Sequence, residues 1–583
     1  MNIKYNHTIL RIVVAGVFAL GSSSCTREIG SAAFVKGPYL QNVQQHSITI
    51  MWETSQPTLD AVEYWSSNSV KQLVSDTDST QIHEITLVDL MEESEYWYRI
   101  VTAAGKSRKY SFQTAVKETS PFTFAAYGDN KSGPFNHKRV ADLILAKKPN
   151  LVMHNGDLVD RGGIDKQWDK LFFGPAERMM HSIPLFPVLG NHEDHADNYY
   201  NYFSLPGNEQ WYSFDFGNAH FVVLDSDEDF LEQGDQIDWL INDLENNTSD
   251  WTFAFFHHPP FTSGGNYYRK DRIYRQNLLH PIFERYGIDV VFNGHDHNYE
   301  RIKPVVSHDG SKPVTYIVCG NGGTPMRYTR KLNWTAYVER VFGIVLVAID
   351  GQKMRLQAIN THDEIIDELV LDKSDRDAME TYYADAVIFD EIRDVYDVSV
   401  LSREADGLMD DEMYQEAVAR AREAIALDQT CVEAWAIIAN SAFELGDLED
   451  ARAAAEQAIN ILPTHPDAYE VLAEYYLAKA NFPAALEYCE KLVVVEPDSP
   501  GGYELMSEVW LEQGDTVRAI ETLQQALEIL PSDSDIHFDL GKLYEESGSP
   551  ELAFEAYQDG LDWFMDESED DDAKAARRFV SEF

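Results

Sequence analysis

The sequence is poor in cysteine, in positive charge and in long apolar runs. Its 583 residues include four cysteines, at positions 25, 319, 431 and 489, too few and too scattered for a disulfide framework or a Cys-rich zinc site. Lysine and arginine number 47 against 98 acidic residues, a formal charge of −51. That balance excludes a general nucleic-acid binder, because the phosphate backbone rewards cations. The Gly-rich P-loop pattern is absent, which disfavours nucleotide-driven phosphoryl transfer of that type. Aromatic residues make up 12% of the chain, which with regular hydrophobic patterning excludes global disorder. The length fits three or four domains. Charge divides them unevenly, since residues 378–583 hold 49 acidic and 12 basic side chains.

The apolar run Ile12–Leu20 is far shorter than the ~20 residues that span a bilayer. Lys4, His7 and Arg11 precede it, and Gly21-Ser22-Ser23-Ser24 follow. A basic start, a short apolar stretch and small residues read as an export segment over residues 1–33. Cys25 after three serines resembles a bacterial lipoprotein cleavage site, which implies a lipid on Cys25 and a place in the cell envelope. Ser31-Ala32-Ala33 is the rival cleavage site of a periplasmic or secreted protein.

Residues 34–116 read as an all-β sandwich. Ser47–Glu53 alternates in the strand sense, and further strand-like runs cover Gln81–Leu87, Glu95–Val101 and Lys109–Thr114. Trp52 is expected in the core. The stretch Leu90–Ile100, with Tyr96 and Tyr98, resembles the tyrosine corner of fibronectin type III domains, where the first tyrosine hydroxyl bonds back to the chain.

Residues 121–372 repeat one arrangement, an apolar strand running into a polar cluster, with helical stretches between, as in layered α/β folds. Phe122–Tyr127 leads to Gly128-Asp129, and Asn150–Met153 to Asn155-Gly156-Asp157. Phe186–Leu189 leads to Gly190-Asn191-His192-Glu193, Thr252–Phe256 to His257-His258-Pro259, and Ile288–Phe292 to Gly294-His295-Asp296-His297. Five strands delivering such side chains at one end should converge on one edge of a sheet. Asp, Asn and His in mixed company suit Zn, Mn or Fe. Gly320-Asn321-Gly322-Gly323 should let the backbone pass close to them. His154, His181, His195, His220 and His280 stand alone and read as structural or solvent-facing. Tyr199, Tyr200, Tyr202 and Trp211 read as core, with a pocket roof as the alternative. Glu300 and Arg301 suit a structural ion pair or a catalytic role.

In this order the motifs resemble the calcineurin-like metallophosphoesterase superfamily. Gly294–Arg301 and the preceding sandwich are similar to those of purple acid phosphatases. The resemblance implies an α/β metallophosphoesterase β-sandwich with flanking helices and a centre of two divalent or trivalent ions, Fe, Zn or Mn. Asp129, Asp157 and His297 would hold one ion; Asp157, Asn191, His257 and His295 would hold the other. His192 would orient substrate or protonate the leaving oxygen, and His258 would stand behind the ligands. The run Asp157–Gly162 resembles that of Ser/Thr protein phosphatases, which implies that Arg161 grips phosphate. The implied activity is hydrolysis of phosphomonoesters by direct attack of a metal-bridging water. A phosphodiesterase or nucleotide hydrolase is the alternative, as is a degenerate domain on a binding scaffold. Two positions depart from the pattern. Asp160 stands where purple enzymes have a tyrosine, so no tyrosinate charge-transfer band is expected, and Lys131 stands where other branches have a histidine.

After a helical linker at residues 373–397, residues 398–567 repeat with a period of 34. Ala417, Ala451, Ala485, Ala519 and Ala553 share one position, and Trp435, Tyr469 and Tyr503 another. Gly446, Gly514 and Gly548 fall at a turn, and Pro463, Pro497 and Pro531 at unit ends. Period and residue classes look like the tetratricopeptide repeat, an all-α solenoid. The resemblance implies a concave face for a protein or peptide; here that face would be acidic and suit a basic partner. Residues 568–583 read as an acidic tail, and the run Asp566–Asp572 as disordered.

Overall fold

The computed structural model describes residues 34–67, 69–226, 234–264, 270–308, 312–392, 396–564 and 570–583. The export segment and Cys25 lie outside the described residues. Among the described residues no helix is long and apolar enough to cross a membrane.

Alternation of apolar and polar residues builds the first domain. A three-stranded sheet (Lys36–Gln41, Ile48–Thr58, Thr80–Leu87) faces a second sheet built on Ala61–Ser66 and Glu95–Thr102. Trp52 is fully buried between them, stacked on His83 at 4.6 Å. The Tyr96 hydroxyl accepts a hydrogen bond from the Met91 N–H (2.9 Å), closing the corner onto the chain. Side chains then tie this sandwich to the next domain. Tyr98 donates to the His181 carbonyl (2.9 Å) and Tyr39 to that of Tyr202 (2.7 Å). Buried Lys36 pairs with Glu53 (2.6 Å) and Asp169 (2.9 Å).

The central domain places its motif strands in two packed sheets, the β-sandwich that the family resemblance implied, although the strand-end pattern alone suggested one sheet edge. Leu185–Pro187, Leu151–His154 and Phe122–Tyr127 run parallel in a six-stranded sheet. Trp251–Phe255 and Val290–Asn293 run parallel in a seven-stranded sheet. The sheets pack face to face because their strands carry aromatics toward each other. Phe124 meets Phe221, Phe253, Phe255 and Phe292 edge-on, with centroids 5.2–6.1 Å apart. Periodicity along a strand reports a buried face but not which sheet shares it, so the division into two was not legible locally.

Five antiparallel helix pairs follow, from Tyr396–Asp410 to Pro550–Trp563. The alanine column of the repeat is fully buried in all five pairs, which lets the helix axes approach. The turn column holds Glu412, Gly446, Ala480, Gly514 and Gly548, all at positive φ. Ala480 has φ 53°, a left-handed conformation that costs an L-residue about 1 kcal/mol. Ala480→Gly is therefore expected to raise the melting temperature, read by calorimetry; a decrease would show that the turn carries no such strain.

Of the run expected to be disordered, residues 566–569 lie outside the described residues, and its end differs from expectation. Asp571–Glu582 is a helix, with Ala573 and Ala576 buried beside Phe538 and Tyr557. It covers the apolar edge that the last pair would otherwise expose, as a capping helix does in repeat arrays.

Candidate metal centre

The parallel strands of both sheets end at the same place. Asp129, Asp157 and Asn191 follow strands of the six-stranded sheet; His257, His295 and His297 follow strands of the other. Three of these turns are left-handed at non-glycine residues, with φ 60° at Asp129, 57° at Asp157 and 68° at His295. Such conformations persist where surrounding structure holds them, typically at functional sites. The glycines between explain the close approach. A Cβ on Gly190 would stand 2.3 Å from Asp157 Oδ1, and one on Gly320 would stand 2.7 Å from Asp129 Oδ2.

The donor atoms converge. His257 Nδ1 donates to the Asn155 carbonyl (2.7 Å), which turns Nε2 toward the other donors. That Nε2 lies 3.2 Å from Asp157 Oδ1, from Asn191 Oδ1 and from His295 Nδ1. His297 Nδ1 donates to the Pro325 carbonyl (2.9 Å). Its Nε2 is buried without a hydrogen-bond partner, 3.7 Å from Asp129 Oδ1. Two overlapping sets result, Asp129/Asp157/His257 and His257/His258/His295, each with ligand atoms within 4.8 Å of one another. Lone pairs held this close, with an orphaned imidazole nitrogen among them, fit cations. The donor set and its overlap are consistent with a dinuclear site.

The electrostatics agree. Burial, opposed by the His257 charge and reinforced by that of Asp157, pushes Asp129 up to about 7. Burial works against a charged His257, but Asp157 and Asp129 outweigh it and raise it to about 9. Two buried carboxylates thus draw positive charge. Burial, with Arg327 and Lys131 nearby, holds His297 neutral, the form a metal needs.

The remaining sequence candidates sit at different depths. His192 is part-exposed, with Nδ1 donating to the Asp160 carbonyl (2.7 Å) and Nε2 3.9 Å from Asp157 Oδ2. Asp160 lies against His192 Nδ1 at 3.4 Å, so it orients that imidazole. His258 is buried, its Nδ1 2.9 Å from Ser226 Oγ, and belongs to the second donor set as well as standing behind it. Arg161 is 57% exposed, 4.0 Å from Asp160. The lone histidines all have structural partners, such as Asn130 for His154 (2.6 Å) and Tyr316 for His280 (2.8 Å). Tyr199 and Tyr202 are core residues. Glu300 and Arg301 do not pair with each other: Arg301 binds Asp367 through two bonds (2.7 and 2.9 Å), and Glu300 accepts from Ser263 N–H (2.7 Å) and Thr335 (2.9 Å).

Two side chains that the sequence analysis gave no role also enter the centre. Lys131 Nζ reaches into the centre, 2.8 Å from Asp157 Oδ2. Glu193 accepts from the N–H groups of Asp157 (3.0 Å), Leu158 (2.8 Å) and Gly190 (2.7 Å), pinning two ligand loops together. Its place in the Gly-Asn-His-Glu run was the available signal.

Residues 122–299 match the calcineurin-like phosphoesterase family. The chain carries a calcineurin-like metallophosphoesterase domain. Tetratricopeptide repeat families match residues 402–467, 442–509 and 509–548, so repeats of a protein- and peptide-binding kind follow the phosphoesterase domain. The chain is similar to mouse acid phosphatase type 7, 28% identical over 342 residues covering 49% of this chain and 76% of that protein. It is also similar to purple acid phosphatase 23 of Arabidopsis thaliana, 28% identical over 291 residues, 42% of this chain and 62% of the relative. The purple acid phosphatase PPD1 from yellow lupin seeds shares the fold with a TM-score of 0.50 at 17% identity, over 60% of this chain and 77% of that one.

Proposed function

We propose that the chain is a purple-acid-phosphatase-like hydrolase of phosphomonoesters. The observation that carries this is the pair of overlapping donor sets sharing His257, with His192 at their rim. Cations held there would activate water and offset charge on the phosphoryl group. The protein's own groups do the rest. Asp157 and Asn191 set the oxygen donors, and Glu193 fixes their loops. Burial works against protonated His192, but the Asp160 carboxylate outweighs it and raises the imidazole above its ordinary range. His192 can therefore hold a proton for the departing alkoxide. Arg161, beyond it and part-exposed, supplies a guanidinium for phosphate oxygens. The Tyr96 corner supports reading the first sandwich as fibronectin type III-like, and residues 1–33 support an exported location.

The test is metal analysis of the purified chain with parallel assays on a chromogenic phosphomonoester and a diester. Bound transition metal and faster monoester turnover are expected. A diester preference above about tenfold (about 1.4 kcal/mol) would make it a phosphodiesterase. Absence of both metal and turnover after supplying Fe, Zn and Mn would leave a binding scaffold.

A further inference from the structure

The loop after the strand Thr315–Cys319 has two halves, and each is bound to a different domain. Its first half is stitched to the metal centre. Gly322 N–H donates to the Gly128 carbonyl (2.8 Å), Thr324 N–H to that of Asp129 (3.0 Å) and Arg327 N–H to that of His297 (3.1 Å). Pro325 takes the Nδ1 proton of His297. The second half is stitched to the repeats. One residue beyond Pro325, the Met326 N–H donates to the Asp498 carboxylate, which also binds Arg340 at 3.1 Å. Arg340 donates to the carbonyls of Met326 (3.0 Å) and Val495. Arg330 grips Glu433 with two nitrogens in a pair whose side chains are only 12% and 13% exposed. Tyr328 donates to the same carboxylate (3.1 Å) and lies on the His465 ring, centroids 4.5 Å apart. Tyr328 thereby enters a cleft of about 390 Å³ that Ile437 and Asn440 also line.

We infer that the repeats act on the phosphoesterase site itself: Glu433 and Asp498 are positioning residues that hold the Pro325 carbonyl, and through it the metal-facing nitrogen of His297. This rests on the metal-centre reading above. Three features argue for it over incidental contact. The link from Asp498 to His297 passes through only two backbone residues. Both arginine pairs are largely removed from water, where breaking one partner is costly. The apolar core is also continuous across the join: Trp334 of the same loop packs in one cluster with Val291 and Tyr316 of the phosphoesterase domain and with Ile437 and Leu472 of the repeats. Arg330 of the loop and Arg340, which follows the strand Thr335–Glu339, thus already occupy carboxylates of the repeat array that a basic partner would otherwise meet.

The test uses the full chain and four variants: Arg330→Glu, Glu433→Arg, their combination, and Asp498→Asn. Cation affinity is read by chelator competition, and ligand geometry by the visible spectrum of the cobalt-loaded protein. Each single variant is expected to weaken cation binding about tenfold, the range found when groups behind a ligand are lost, and to shift the cobalt bands. The combined variant should recover affinity and spectrum, because the pair is restored in reverse. Singles that keep both would overturn the inference, as would a loss that the combination does not recover. Asp498→Asn keeps volume and carries the test if a charge reversal fails to fold. If the wild-type chain binds no metal, the functional reading fails instead.

Discussion

Asp157→Asn is expected to abolish phosphoester hydrolysis, a loss of at least roughly a thousandfold, or about 4 kcal/mol of transition-state stabilisation. Asp157 belongs to the donor set with Asp129 and His257, and its two oxygens face different neighbours. Oδ1 lies 3.2 Å from His257 Nε2, while Oδ2 lies 2.8 Å from Lys131 and 3.9 Å from His192. Asparagine keeps the volume and one oxygen but loses the charge and turns an acceptor into a donor. Its backbone N–H still reaches Glu193, so the loop should stay in place. Elemental analysis should therefore show reduced metal while circular dichroism stays unchanged. The metal-free variant is expected to melt lower than the metal-free parent, because buried Lys131 and His257 lose the carboxylate they pair with. Retention of activity would remove Asp157 from the centre of the mechanism.

The second large effect concerns Lys131. Its side chain is 9% exposed and its ammonium sits on Oδ2 of the Asp157 carboxylate, a member of the first donor set, so it competes with a cation there. At ~4 Å and an effective dielectric near 20, two unit charges repel by about 4 kcal/mol. Lys131→Met should thus tighten cation binding by tenfold or more in chelator competition. Lys131→His goes further by offering a nitrogen ligand in the same place, and should raise the metal content at saturation. Unchanged binding in both variants would mean that the lysine swings aside without cost and does not compete.

The sequence carried the fold class, sandwich and repeat array included, and for the site it carried a set of candidate residues. Ligand-type residues after glycine at the ends of apolar runs are a local signal. The structure gathers Asp129, Asp157, Asn191, His257, His295 and His297 in one place because parallel strands share an end. Repeat spacing is equally local, and the buried alanine column follows from it. What escaped depends on distant partners. Lys131 looked like a missing histidine until its tertiary neighbour, Asp157, was known. The acidic terminus has a helical apolar stripe, Ala573 and Ala576, too sparse to outweigh its charge when read alone. Nothing in residues 324–340 announces a repeat array more than a hundred residues away as their counterpart.

The division of the candidate ligands between two sheets has a mechanical consequence. Three come from each side of the sandwich, so a cation at the centre would act as a rivet through both layers. Cys319, Cys431 and Cys489 are free thiols, and a bound ion would close chain loops of the length a long-range covalent bridge closes. Because only the assembled sandwich presents both halves of the cage, occupancy is coupled to folding through mass action. Scarcity of the ion would then loosen the scaffold as well as silence it.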